Sequence, residues 1–359
     1  MSDLNRIDAF LELAVKQGGS DVHLVSGQPL RIRLNGTLEP VRFRQLSARD
    51  MDEFLEEFMT DAQRAQLAEH LHVDFAYESD VAGRFRVNVY RHRDGLAAAF
   101  RVVPLTPPTL ESVGLPAVVA HMLAVGKGLV LVTGPTGSGK STTLAGMIDH
   151  LNQTRKGHII TVEDPIEFVH TYKHCVVSQR EIGTHAPSFA EALRSAVRED
   201  PDVVMVGEMR DMETISLALT AAETGIMVLG TLHTNGAVRC VDRIVNVFPA
   251  RRQDQVRTML SDSLRLVVSQ QLVRKADRTG RQVAAEVLVN TSAVSSMIRQ
   301  GNTHKLLSAI QAGQRAGMQS LDAVLTDLVR REIITGDEAY EHAVERSAFE
   351  QYVTQDPAA

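Results

Sequence analysis

At 359 residues the chain is too long for one ordinary small domain and suits two or three. Hydrophobic residues make up 44% and charged residues 23%, a balance that allows a sizeable buried core. The net charge of −6 is spread with both signs interspersed, which argues against a dedicated nucleic-acid binder; Arg251-Arg252 is the nearest local basic patch.

In chain order, the segment Met1 to Asp8 lacks a basic stretch followed by an apolar run, so no secretory signal is expected. A helical pattern (Ile7, Phe10, Leu11, Leu13, Ala14) leads to Gly18-Gly19. Strands follow at Asp21-Val22-His23-Leu24-Val25 and at Leu30-Arg31-Ile32-Arg33-Leu34, where apolar and basic residues alternate at period two. Asn35-Gly36 predicts a hairpin turn into Thr37-Leu38-Glu39-Pro40-Val41. One helix is expected over 47–70, then strands at 73–78, 84–90 and 96–103. Residues 1–103 therefore read as a small α+β domain. Four prolines within 104–116 predict a linker, because such a run sustains neither a helix nor a central strand.

After the linker the pattern changes. Continuous apolar runs at 129–132, 159–162, 203–206 and 227–231 alternate with helices expected at 140–151, 188–199 and 211–223. Apolar strands of this kind are buried on both faces, and βαβα order implies a parallel sheet. Ser188 with Glu191 predicts a capping box. The stretch Val118 to Val132 is broken by His121 and Lys127, so no run reaches the roughly 18 residues of a membrane-spanning helix. The two cysteines, Cys175 and Cys240, form no Cys-x-x-Cys pair; reduced, packed thiols in a cytoplasmic protein are expected. An α/β core at 117–270 and a mainly helical region at 271–359, with one strand at 283–289, complete the expected organisation.

Gly134-Pro135-Thr136-Gly137-Ser138-Gly139-Lys140-Ser141 fits G-x-x-x-x-G-K-[ST], between the apolar run 129–132 and the helix-forming Thr142-Thr143-Leu144-Ala145. Glycines let backbone N–H groups turn inward around an anion, and the helix N-terminus adds a favourable dipole. Lys140 would face the β- and γ-phosphates of a nucleotide, and Ser141 would offer its hydroxyl to Mg²⁺. In a parallel sheet, ligands bind beyond the carboxyl ends of the strands. The later strands end in Glu163-Asp164-Pro165, Gly207-Glu208 and Leu232-His233-Thr234, bringing two carboxylates and an imidazole to the phosphate-loop edge. One carboxylate could orient or deprotonate a water, another could hold Mg²⁺, and His233 could bond the γ-phosphate.

These segments resemble the secretion ATPase superfamily that powers type II secretion and type IV pili, and in particular the PilT family of pilus retraction ATPases. The likeness runs over nearly the whole chain. It rests on the phosphate loop from Gly134 through Thr142, an aspartate box (161–168) with Glu163 in the catalytic-glutamate position, a Walker B-like 206–211 with Glu208, and a histidine box ending in His233-Thr234. The resemblance implies a RecA-like ATPase domain behind a PAS-like domain, ATP and Mg²⁺, and a homo-hexamer. It further implies an inner-membrane platform protein as partner, so that the membrane is reached only through partners at the cytoplasmic face. Arg86 and Arg101 match positions where the family places arginines that reach the nucleotide from the PAS-like domain, and an arginine stabilising charge on a transferring phosphate fits that role. Extension and type II secretion ATPases commonly carry a four-cysteine zinc motif and an extra N-terminal domain; with neither expected here, the retraction branch is favoured.

Two departures are visible. Ile226 follows Glu223-Thr224-Gly225 where the family has a histidine, and 293–300 replaces Ala-Ile-Arg-Asn-Leu-Ile-Arg-Glu with Ala-Val-Ser-Ser-Met-Ile-Arg-Gln. The apolar spacing at 294, 297 and 298 survives, while the charged surface is reduced to Arg299. A slowly hydrolysing accessory paralogue and an extension ATPase are therefore alternatives to a retraction motor. A DNA translocase lacks its basic footprint.

Overall fold

Alternating residues before position 104 and continuous apolar runs after it produce two different sheets. The computed structural model describes residues 6–34, 36–104 and 106–353. It divides into one unit of Met1–Thr106 with Glu167–Val169 and a second of Pro107–Ile166 with His170–Ala359.

The first unit holds β1 (Asp21–Val25), β2 (Pro29–Leu34), β3 (Thr37–Gln45), β4 (His72–Ser79), β5 (Gly83–His92) and β6 (Gly95–Val103) in an antiparallel sheet of order β3-β2-β1-β6-β5-β4. The period-two pattern works as expected in β2, where Leu30 and Ile32 are buried and Arg31 and Arg33 are not. Asn35 of the expected hairpin turn, and residues 1–5 of the N-terminal segment, lie outside the described residues; β2 and β3 pair through Leu34 and Thr37. Helices Arg6–Lys16 and Ala48–Phe58 contribute Ile7, Leu11, Met51 and Phe54 to a core shared with Phe85 and Phe100.

The single helix expected over 47–70 is two, Ala48–Phe58 and Asp61–His70. Met59 is extended, and Thr60 starts the second helix with a capping box to Gln63. A side chain that satisfies fresh N–H donors makes a new start there cheaper than continuation.

The second unit holds β7 (Gly128–Thr133), β8 (His158–Glu163), β9 (Val176–Glu181), β10 (Val203–Val206), β11 (Met227–Leu232), β12 (Leu264–Arg274) and β13 (Arg281–Val289), in the order β13-β12-β7-β11-β10-β8-β9. Every neighbouring pair is parallel except β12 with β13. Leu129, Val130, Leu131 and Val132 are fully buried, each contributing about 1.5–3 kcal/mol relative to exposure. Ser188 caps the helix Phe189–Ala196 by accepting from the Glu191 N–H.

Strands β9 and β12 escape the sequence reading for different reasons. Strand β9 is an edge strand with mixed burial, and β12 begins directly after the helix Ala250–Ser263 without an intervening turn residue. A division at 270/271 consequently falls inside β12. The proline-rich 104–116 is also not one linker. Leu105 lies outside the described residues, and a short helix, Leu110–Val113, sits between the prolines with both end residues buried. Gly146 of the helix Lys140–Thr154 admits its close approach, since a Cβ there would meet Val113 at 3.1 Å.

Beyond β13 come the helices Ser292–Arg299, Leu306–Ala312, Leu321–Arg330 and Gly336–His342. No helix among the described residues is long and apolar enough to cross a membrane.

Candidate nucleotide site

Strand β7 ends at Thr133 and the helix Lys140–Thr154 starts seven positions on, so residues 134–139 must reverse direction tightly. Two glycines make this possible. Gly134 has φ +148° and lies so near β12 that a Cβ would meet the Gln270 carbonyl oxygen at 2.3 Å. Gly139, at φ +87°, is the helix N-cap and supplies no side chain to its first turn. The N–H groups of that turn are left for an anion, where the helix dipole also favours one.

Lys140 is buried, and its Nζ donates to the carbonyls of Gly134 at 3.0 Å and Pro135 at 2.9 Å. The ammonium is thus held along the loop. Ser138 is buried too, and its Oγ makes no hydrogen bond among the described residues. Ser141 and Thr142 are exposed on the first turn. Uncapped N–H donors, a held ammonium and an exposed serine hydroxyl fit a phosphate group accompanied by a hard cation.

The register of the parallel strands places the other residues. Thr133 pairs with Leu232, Gly230 with Val206, and Val206 with Val162, so β7, β11, β10 and β8 end on one edge. That edge carries the phosphate loop, His233, Glu208 and Glu163. Glu163 is buried, and its Oε1 accepts from Thr161 Oγ1 at 2.6 Å and Gln179 Nε2 at 3.0 Å. Glu208 Oε1 meets His233 Nε2 at 2.8 Å and Arg210 Nε at 2.5 Å. Hydrogen bonding and charge from Glu208 raise the already high pKa of the Arg210 guanidinium. The short loops between are pinned by Met209 N–H donating to the Thr231 carbonyl and by Thr231 Oγ1 donating to that of Gly207.

Three contributors were missed in the sequence because they come from β12 and β13. Gln270 is fully buried; its Nε2 donates to the Ser138 carbonyl at 2.7 Å and its Oε1 accepts from Thr143 Oγ1 at 2.9 Å. Ser269 Oγ accepts from the Gly236 N–H at 2.8 Å. Glu286, opposite Ser269 on β13, accepts from the Ala237 N–H at 2.7 Å, at the start of the helix Ala237–Asn246 that follows His233. Burial pushes the Glu286 carboxyl up, against the lowering effect of the Ala237 N–H. The available signal was the run of polar residues Ser269-Gln270-Gln271 inside an otherwise apolar stretch.

Both departures from the family pattern lie elsewhere. Ile226 precedes β11 and is partly buried against the core, at the strand's amino end and so roughly 20 Å along the strand from His233. Its carbonyl accepts from the Gly128 N–H at 3.2 Å. The 293–300 segment forms the helix Ser292–Arg299, with Val294 and Ile298 buried as its spacing predicts. Arg299 is bound to Asp262 at 2.5 Å and to Ser261 Oγ at 3.2 Å. A cavity of about 500 Å³ lined by His150, Arg155, Lys156, His158, Cys175 and Asp202 also opens at the amino ends of β8 and β10, away from the phosphate loop.

Arg86 and Arg101 belong to the first unit, where they are cross-strand partners on β5 and β6 and both are exposed. Arg101 Nε donates to Asp21 Oδ1 at 2.9 Å. Burial alone would raise the Asp21 carboxyl, but hydrogen bonds from Ser20 and Arg101, with the charges of Arg101 and Arg33, hold it below the usual range.

Comparison with known proteins agrees with this geometry. Residues 4–354 match the family model described as type II/IV secretion system protein. The type IV pilus retractation ATPase PilT of Pseudomonas aeruginosa is 48% identical over 337 residues, covering 94% of this chain and 98% of that protein. A twitching motility protein of Neisseria gonorrhoeae is 48% identical over 312 residues, 87% of this chain and 83% of its own. A crystal structure of the pilus retraction motor PilT with bound ADP superposes with a TM-score of 0.91 at 42% identity, covering 97% of this chain and 100% of that one. A phosphate loop and acidic strand ends on one sheet edge, in a chain matched along nearly its whole length, place this protein in the type II/IV secretion system protein family.

Proposed function

We propose that this chain is an ATP-hydrolysing motor that drives type IV pilus retraction. It would assemble as a homo-hexamer at the cytoplasmic face of the inner membrane and engage a platform protein of the pilus machine there. Hydrolysis is carried by one observation: four parallel strands bring the phosphate loop, Glu163, Glu208 and His233 to a single edge. The retraction reading is supported by the relatives' full-length similarity. Ile226 lies at the amino end of β11, and Ser295 of the divergent helix Ser292–Arg299 donates to the Ser261 carbonyl before β12, so neither departure sits on that edge.

Phosphoryl transfer is mainly positioning and charge stabilisation. Lys140 would leave its loop carbonyls to meet the β- and γ-phosphates, with N–H groups of the 134–142 segment around them. Ser141 and Glu208 would hold Mg²⁺, which when bound neutralises phosphate charge. Glu163, oriented by Thr161 and Gln179, would take a proton from the attacking water as the bond from the γ-phosphorus to the bridging oxygen breaks, giving ADP and phosphate. His233 would report the γ-phosphate through its contact with Glu208. Arg86 and Arg101 would complete the site from a first unit, of the same or a neighbouring copy, with motion between units converting hydrolysis into force.

Deleting the gene tests the direction of force. Surface pili should accumulate while twitching is lost; a strain without pili would identify an extension motor instead. For the arginines, Arg86→Ala and Arg101→Ala should each lower kcat for ATP by about a thousandfold with ADP still bound. Wild-type turnover in both variants would remove the arginines from the site.

A further inference from the structure

We infer that Gln270 is a positioning residue for the phosphate loop, one that turns the Gly139 N–H toward bound phosphate; this deepens, and rests on, the nucleotide-binding reading above. Its amide spans the two ends of the phosphate-binding turn. Nε2 holds the carbonyl of Ser138, before the turn, and Oε1 holds the hydroxyl of Thr143, after it. Between these points lie Gly139, Lys140, Ser141 and Thr142.

The consequence follows from peptide geometry. In a planar trans peptide the C=O and the following N–H point in opposite directions. Fixing the Ser138 carbonyl against β12 therefore turns the Gly139 N–H away from β12, toward the side on which an anion can approach. Gly139 is also the uncapped start of the helix, so this N–H heads the row of first-turn donors. The fit is close, since a Cβ on Gly139 would stand 3.2 Å from Gln270 Nε2. Gln270 is fully buried, and no water is needed to satisfy the two groups it holds. A side chain serving only to fill space would not need a donor at one end of the loop and an acceptor at the other.

The test is equilibrium binding of a fluorescent ADP analogue and steady-state ATP turnover by the full chain. Gln270→Met keeps the length and removes both hydrogen bonds. It should weaken ADP binding about tenfold and raise KM for ATP by a similar factor, with kcat within about twofold. Thr143→Val should weaken binding less, and adding it to Gln270→Met should produce no further loss, because its effect passes through the amide. Additive losses would mean two separate packing defects and would overturn the inference. A fall in kcat with KM unchanged would overturn it as well. Should Gln270→Met fail to fold, Thr143 decides: Thr143→Ser keeps the hydroxyl that Gln270 Oε1 accepts from, whereas Thr143→Val keeps the shape and removes it. Wild-type ADP affinity in Thr143→Val overturns the inference, and a loss of a few fold in Thr143→Val with Thr143→Ser near wild type supports it. Wild-type protein that fails to bind ADP would instead sink the nucleotide reading beneath it.

Discussion

Glu163→Gln is expected to lower ATP turnover by about a thousandfold while leaving ADP affinity within about threefold of wild type. Glutamine preserves the shape and the oxygen that Thr161 and Gln179 address, so the side chain should remain where β8 places it. What disappears is a carboxylate able to accept a proton from water. The substitution thus separates chemistry from binding, which single-turnover hydrolysis and equilibrium ADP binding measure independently. An unchanged melting temperature would show that the buried pair of hydrogen bonds has survived. Wild-type turnover in this variant would end the assignment of Glu163 as the base and turn attention to Glu208.

Lys140→Ala should act on the other arm, weakening ADP and ATP binding by at least about a hundredfold. Its ammonium is buried and held by two loop carbonyls, Gly134 and Pro135, so the charge is already stationed on the phosphate loop before any nucleotide arrives. Alanine removes that charge without altering the glycines that set the loop's path. The loss should appear in equilibrium binding, with turnover failing because substrate is not held. Unchanged affinity would exclude a phosphate contact for Lys140. Together the two variants have opposite signatures: one binds and does not hydrolyse, the other hardly binds.

The parts of the site legible in the sequence are those whose geometry is local or follows from topology. The loop from Gly134 to Ser141 is contiguous, and its flanking strand and helix are declared by neighbouring residues. Glu163, Glu208 and His233 could be placed together because βαβ order makes the strands parallel, and parallel strands end on one edge. The helix break at Thr60 was equally local: Thr60 and Gln63 carry a capping-box spacing, as Ser188 and Glu191 do, but helical residues on both sides hide it. Ile226 shows the limit of pattern comparison. The sequence marks it as a departure, yet strand direction puts it at the far end of β11 from the chemistry.

What residues determined alone was therefore the phosphate loop, the alternation of strands and helices, and the polar ends of the strands. The tertiary structure decided the rest: that β12 lies against β7, that Gln270 braces Ser138 and Thr143, and that Glu286 anchors the helix after His233. Gln270 stands 127 positions from Thr143 and 132 from Ser138. Periodicity and spacing carry information over one or two turns of chain, whereas such contacts exist only once burial in a shared sheet has brought distant segments together and obliged each buried polar group to find a partner.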